Sequence, residues 1–148
     1  MEIRSDFKEL LELLNSHKVE FIVVGAYALA HHGAPRNTGD IDLWVRPESK
    51  NARRVLDALK VFGFQFPNLN VQDFETPNQV IQLGVPPGRV DLITSISGVS
   101  WDQADRGKVQ GHCGAIPVNF LGRKEMVVNK RASGRKKDLA DLEALGED

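Results

Sequence analysis

The sequence predicts an α+β domain, one mixed twisted sheet flanked by helices, and three observations carry that expectation. Short β-branched runs of strand length recur at Phe21–Val24, Ile41–Val45 and Arg89–Thr94. Between them lie segments with apolar residues at helical spacing, such as Phe7, Leu10, Leu11 and Leu14. The chain is 148 residues long with no internal repeat or low-complexity linker, so residues 1–148 read as a single domain with its own core.

Taken in order, the first helix starts near Ser5, a plausible N-cap with Asp6 in the first turn. Phe21 to Val24 suits a strand buried on both faces. Gly25 then turns the chain into a short helix, Ala26 to His32, ending at Gly33. Ala34 to Gly39 reads as a polar loop, Ile41 to Val45 as a strand, and Glu48 to Phe62 as a long helix with Val55, Leu56, Leu59 and Phe62 inward. Pro67 to Asn78 is polar and reads as irregular. Val80 to Val85 and Arg89 to Thr94 form a hairpin around Pro86-Pro87-Gly88, since proline followed by glycine fits a tight turn. Trp101 to Lys108 is expected as a helix and Ile116 to Phe120 as a last strand. Two helices, Arg123 to Arg131 and Lys136 to Leu145, are broken at Ser133-Gly134.

Composition narrows the function classes. A net charge of -1 gives no global attraction to nucleic acid or anionic membrane. Cys113 is the only cysteine, which excludes an intrachain disulfide and points to a reducing compartment. Phe21 to Ala30 is about half the roughly 20 apolar residues a membrane span needs. The acidic N-terminal stretch lacks the apolar core of a signal peptide, so a cytoplasmic location is expected.

The chemistry concentrates in "GDIDLWV", Gly39 to Val45. Strand residues i and i+2 share a face, so Ile41, Leu43 and Val45 point into the core while Asp40, Asp42 and Trp44 take the other side. Such alternating acids also decorate solvated sheet faces. Two ionised carboxylates that converge, however, repel unless a cation lies between them. Hard divalent ions, Mg²⁺ above all, suit that need, and a metal pair can activate a hydroxyl while stabilising a leaving phosphate. Asp91, alone between Val90 and Leu92, is a third acid in an apolar strand and joins the set if its strand neighbours theirs. The strand–Gly25–helix turn offers unpaired N–H groups that suit phosphate, and glycine lets a ligand approach the backbone.

A strand, a glycine turn, a short helix, Asp-x-Asp on the next strand and a later third Asp together resemble the nucleotidyltransferase superfamily, which shares the polymerase-β-like core. The stretches "PRNTGDIDLWV" and "NKRASGRKKDLADL" look most like small prokaryotic members of the abortive-infection (AbiEii-like) and related toxin groups, and the resemblance runs from about Phe7 to Leu145. It implies a nucleotidyltransferase fold and transfer of NMP from an NTP, ATP among them, to a hydroxyl with release of pyrophosphate. It also implies that Asp40, Asp42 and Asp91 bind Mg²⁺ (or Mn²⁺), with Asp91 as base. Gly25 and Ala26 would hold the triphosphate, and Lys130 would lie near the phosphates, followed by the acid Asp138. Ala26 departs from the family, which usually has Gly or Ser there, and puts catalysis in doubt more than binding. The acceptor is a protein, a tRNA or a small molecule, and a cognate antitoxin is a further expected partner. The alternative is a non-catalytic nucleotide- or partner-binding module. A metal-dependent phosphodiesterase or nuclease would use the same acids, although the glycine turn fits a triphosphate better.

Other residues carry weaker expectations. Arg36 could reach a phosphate from the loop before Asp40, and Thr38 shapes that turn or meets the nucleotide. His31 and His32 end a helix, where a cation suits the dipole. With His112 and Cys113 they lack zinc spacing. Trp44 either stacks on a base or belongs to the core. Arg123, Lys124, Lys130, Arg131, Arg135, Lys136 and Lys137 form a basic run that suits a solvated helix face, phosphates or an RNA acceptor.

Overall fold

The computed structural model describes residues 4–35, 39–63, 68–84 and 88–147. Its core is a six-stranded mixed sheet. The strands are β1 (Phe21–Val24), β2 (Ile41–Val45), β3 (Val80–Leu83), β4 (Val90–Ile93), β5 (Val109–Cys113) and β6 (Ile116–Phe120), in spatial order β3-β4-β2-β1-β6-β5. The helices are α1 (Ser5–Ser16), α2 (Gly25–His31), α3 (Ser49–Phe62), α4 (Val71–Glu75), α5 (Trp101–Gly107), α6 (Arg123–Ser133) and α7 (Lys136–Ala144).

All four residues of β1 are buried, as a central strand covered on both faces requires. It pairs antiparallel with β2 and parallel with β6, and β2 pairs parallel with β4. Helix α1 sinks Phe7, Leu10, Leu11 and Leu14 into the core and packs on α3, which packs in turn on α4. Ser5 is the first helical residue and Arg4 occupies the cap position without a side-chain bond, so the expected serine cap is absent. Glu48 caps α3 through Asn51 N–H at 2.6 Å. Asn51 is fully buried and ties β1 to the end of β2: it accepts from Glu20 N–H (2.7 Å) and donates to the Glu20 and Arg46 carbonyls (2.9 and 3.0 Å). A buried side-chain amide satisfied this fully acts as a rigid staple.

Three local expectations are corrected. The polar stretch before Asn78 contains α4, whose Phe74 is completely buried; one aromatic anchors a helix too short to show periodicity. β5 is an additional edge strand, paired antiparallel with β6, and its alternating burial is masked in sequence by Gln, Gly and His. His31 is a stacking partner of Phe120, with ring centroids 4.3 Å apart. Desolvation, with the neighbouring His32 charge, holds its pKa below the ordinary value, the opposite of a cation stabilised by a helix end. Of the expected Pro86-Pro87-Gly88 turn, the two prolines lie outside the described residues, while the hairpin itself is β3 against β4. Among the described residues, no helix is long and apolar enough to cross a membrane.

Candidate active site

The register of the central strands assembles the site. In the parallel β2–β4 ladder Asp42 lies directly opposite Asp91. In the antiparallel β1–β2 ladder Val24, the last residue of β1, lies opposite Asp42, so Gly25 sits beside its carboxylate. Asp40, Asp42, Asp91, Gly25, Ala26 and Lys130 all line one open cleft of about 730 Å³. Asn78, Ser95, Ser97 and Asn129 give it a polar wall, and Arg89, Arg135 and Lys137 supply further cations.

Directly opposed carboxylates in a sheet are mutually repulsive. Asp42 feels this most. Burial pushes its carboxyl up to about 6, reinforced by the charge and hydrogen bond of Asp91 and the charge of Asp40, with Lys137 pulling the other way. Asp40 and Asp91 are instead drawn to Arg89. Its Nη2 lies 3.0 Å from Asp40 Oδ2, and its Nε lies 2.9 Å from Asp91 Oδ1. Nη2 also donates to Asp91 Oδ2 at 3.2 Å. The Nε–Oδ1 contact is an ion pair out of line for a hydrogen bond, and both atoms are buried without a hydrogen-bond partner. In this arrangement no three His, Cys, Asp or Glu side chains among the described residues converge as a metal cluster. The donor set facing the cleft is nevertheless all-oxygen and acidic at Asp42 and Asp91, which fits a hard divalent cation.

Gly25 lines the cleft and has a structural role beside the one expected of it. Its φ is +67°, in the left-handed region, and a Cβ there would overlap the Asp42 carboxylate, with Cγ only 3.0 Å away. The space where a side chain would lie is filled by the Asp42 carboxylate. Ala26, in the first turn of α2, is buried yet borders the cleft.

Behind the cleft, Lys130 of α6 is buried and donates to Asp141 Oδ2 at 2.9 Å and Asp138 Oδ1 at 3.3 Å, both on α7. Asp138 also accepts from Arg135 Nε at 2.8 Å and Nη2 at 3.2 Å. Burial alone would raise the Asp138 pKa; hydrogen bonds from Arg135 and Ser133, with the Lys130 charge, outweigh it and hold the carboxyl well below the usual range. Asp138 thus positions two cleft cations from a place behind the lining. Trp44 is core: it is 1% exposed and meets Trp101 edge-on with centroids 5.3 Å apart. Cys113 is fully buried, and burial pushes its thiol up to about 11, as expected of a structural cysteine. Arg36 and Thr38 lie outside the described residues.

No family model and no curated protein sequence matches the chain. Solved structures do. A lincosamide antibiotic adenylyltransferase with lincomycin bound superposes with a TM-score of 0.61 at 12% identity, covering 98% of this chain and 97% of that one. A Thermotoga maritima protein named as a candidate nucleotidyltransferase gives 0.59 at 15% identity, covering 97% and 92%. The fold is that of the nucleotidyltransferases.

Within this nucleotidyltransferase fold, sequence reasoning missed Arg89 and Asp141. Arg89 stands two residues before Asp91 on the same strand face, so the alternation rule that linked Asp40 to Asp42 also reaches it. Asp141 follows Asp138 by one helical turn and shares its face, a signal hidden among the charges of "KKDLADLE". The basic run does not act as one patch: Lys130 is buried, Arg135 and Lys137 border the cleft, and Arg123 bonds the Leu145 carbonyl and pairs with Glu147.

Proposed function

We propose that the cleft transfers a nucleoside monophosphate from a nucleoside triphosphate to an acceptor hydroxyl, with release of pyrophosphate. The observation that carries this reading is the β2–β4 register, which sets Asp42 against Asp91 at the mouth of a polar cleft ringed by Arg89, Lys130, Arg135 and Lys137. The acceptor oxygen bonds to the α-phosphorus as the bond to the β-phosphate oxygen breaks, and the hydroxyl proton passes to Asp91. Asp40, Asp42 and Asp91 would hold Mg²⁺ or Mn²⁺, which supplies charge neutralisation of the phosphates and activation of the hydroxyl when bound. Lys130, fixed by Asp138 and Asp141, would meet the triphosphate without losing side-chain freedom on binding. Gly25 serves by seating Asp42, and Ala26, which borders the cleft, would meet a phosphate through its backbone N–H.

The acceptor is a small molecule, a protein or a tRNA. The likeness to a lincosamide adenylyltransferase supports the first, and the AbiEii-like C-terminal stretch supports a toxin-type enzyme with a protein or tRNA target and a cognate antitoxin. Incubation of α-labelled NTPs with cell extract distinguishes these by the size of the labelled product. Wild type is expected to label an acceptor and Asp42→Ala to lose at least about a hundredfold. Equal labelling by both removes Asp42 from the chemistry.

A second reading, a non-catalytic nucleotide-binding module, is favoured by Ala26 and by the pairing of two of the three acids with Arg89. Calorimetry with Mg–NTP alongside a pyrophosphate-release assay separates the two: tight binding without release selects the module.

A further inference from the structure

The four chemically active corners of the β2–β4 ladder are three acids and one base. Ile41 pairs with Val90 and Asp42 with Asp91, so Asp40 and Arg89 flank the same ladder one residue earlier. Arg89 bridges the acid across from it and the acid two residues along its own strand. Its side chain spans the oxygens that the reading above gives to a divalent cation. The Arg89 carbonyl accepts from Ile41 N–H at 3.1 Å, which fixes its backbone to β2 and leaves only the side chain able to move. Lys130 and Arg135 cannot take its place, because Asp138 and Asp141 already hold them.

We propose that Arg89 is the resident counter-ion of this cleft: its guanidinium occupies Asp40 and Asp91, and a divalent cation binds there only by displacing it. The inference rests on the proposed metal–triphosphate site. A guanidinium placed between Asp40 and Asp91 offsets two carboxylates with one charge and donates to Asp91 Oδ2, and a hydrated cation must undo both. The acids are thereby held at the cleft in the absence of metal, and the fork, once displaced, remains tethered among the phosphates it then faces. Removing Arg89 should accordingly weaken the metal-free protein and strengthen cation binding. A merely structural arginine would weaken both.

The test is binding of Mn²⁺ alone, measured by electron paramagnetic resonance of free ion, on the full chain. Arg89→Gln is expected to bind Mn²⁺ about tenfold more tightly than wild type. Arg89→Lys, which keeps the charge but loses the fork, is expected between the two, and it carries the test if Arg89→Gln does not fold. Lys137→Gln removes a cleft cation that acts on Asp42 by charge and is not part of the Arg89 ion pairs with Asp40 and Asp91, so it measures the through-space share; a change under about threefold is expected. Wild-type binding with Arg89→Gln no tighter, or tightened only as much as Lys137→Gln, overturns the role of Arg89 and leaves the metal reading intact. Absence of Mn²⁺ binding in every variant overturns both.

Discussion

Gly25 illustrates how one residue couples backbone and chemistry. Its positive φ lets the chain turn from β1 directly into α2, and its missing side chain gives Asp42 the space to lie against that turn. Gly25→Ala should therefore cost about 1–3 kcal/mol in urea unfolding, from backbone strain plus displacement of the carboxylate. The same variant should lose nucleotidyl transfer out of proportion to its lost stability, since Asp42 must move to admit the methyl. A variant as stable and as active as wild type would show that neither constraint operates.

At the scale of elements, the α6–α7 pair is a device for presenting cations. Gly134, with φ of +64°, ends α6 and lets α7 fold back so that Lys130 meets Asp138 and Asp141. Removing one partner of a buried ion pair strands the other, so Lys130→Met is expected to destabilise by about 3 kcal/mol. Asp141 loses the 2.9 Å bond from Lys130, while Asp138 keeps its bonds from Arg135. Adding Asp141→Asn to Lys130→Met should recover part of the stability in the same unfolding measurement. Further loss on adding it would place the cost elsewhere, in packing of the lysine stem.

At the scale of the whole molecule, the acidic cleft makes stability depend on pH in a direction opposite to that of most carboxylates. The folded state binds the Asp42 proton more tightly than the unfolded chain, its pKa rising from 3.8 to about 6. The stability this adds is fully present below about pH 4 and is lost as pH rises through 6. For a two-unit shift on a half-buried group, a loss of about 2 kcal/mol between pH 4 and 7 is expected in chelator-treated protein. The difference between wild-type and Asp42→Asn unfolding curves isolates this group, and a difference that does not change with pH would refute it.

Much of the fold was legible in the sequence because its elements announce themselves locally. Periodicity located α1 and α3, β-branched runs located β1, β2 and β4, and the Ser133-Gly134 break located the joint between α6 and α7. α4 escaped because five residues are little more than one helical turn and a single buried Phe74 anchors it, and β5 because Gln, Gly and His hide the alternation of an edge strand. The acids Asp40, Asp42 and Asp91 could be picked out one strand at a time, since alternation within a strand is a covalent property. Sequence alone thus determined that one sheet would carry three punctuating acids and a glycine turn. Only the tertiary structure decided that β4 lies beside β2 in register, that Asp42 fills the space opened by Gly25, and that Arg89 spans Asp40 and Asp91. Strand order and register are set by the packing of the whole core, and charges on different strands interact only once that packing brings them together.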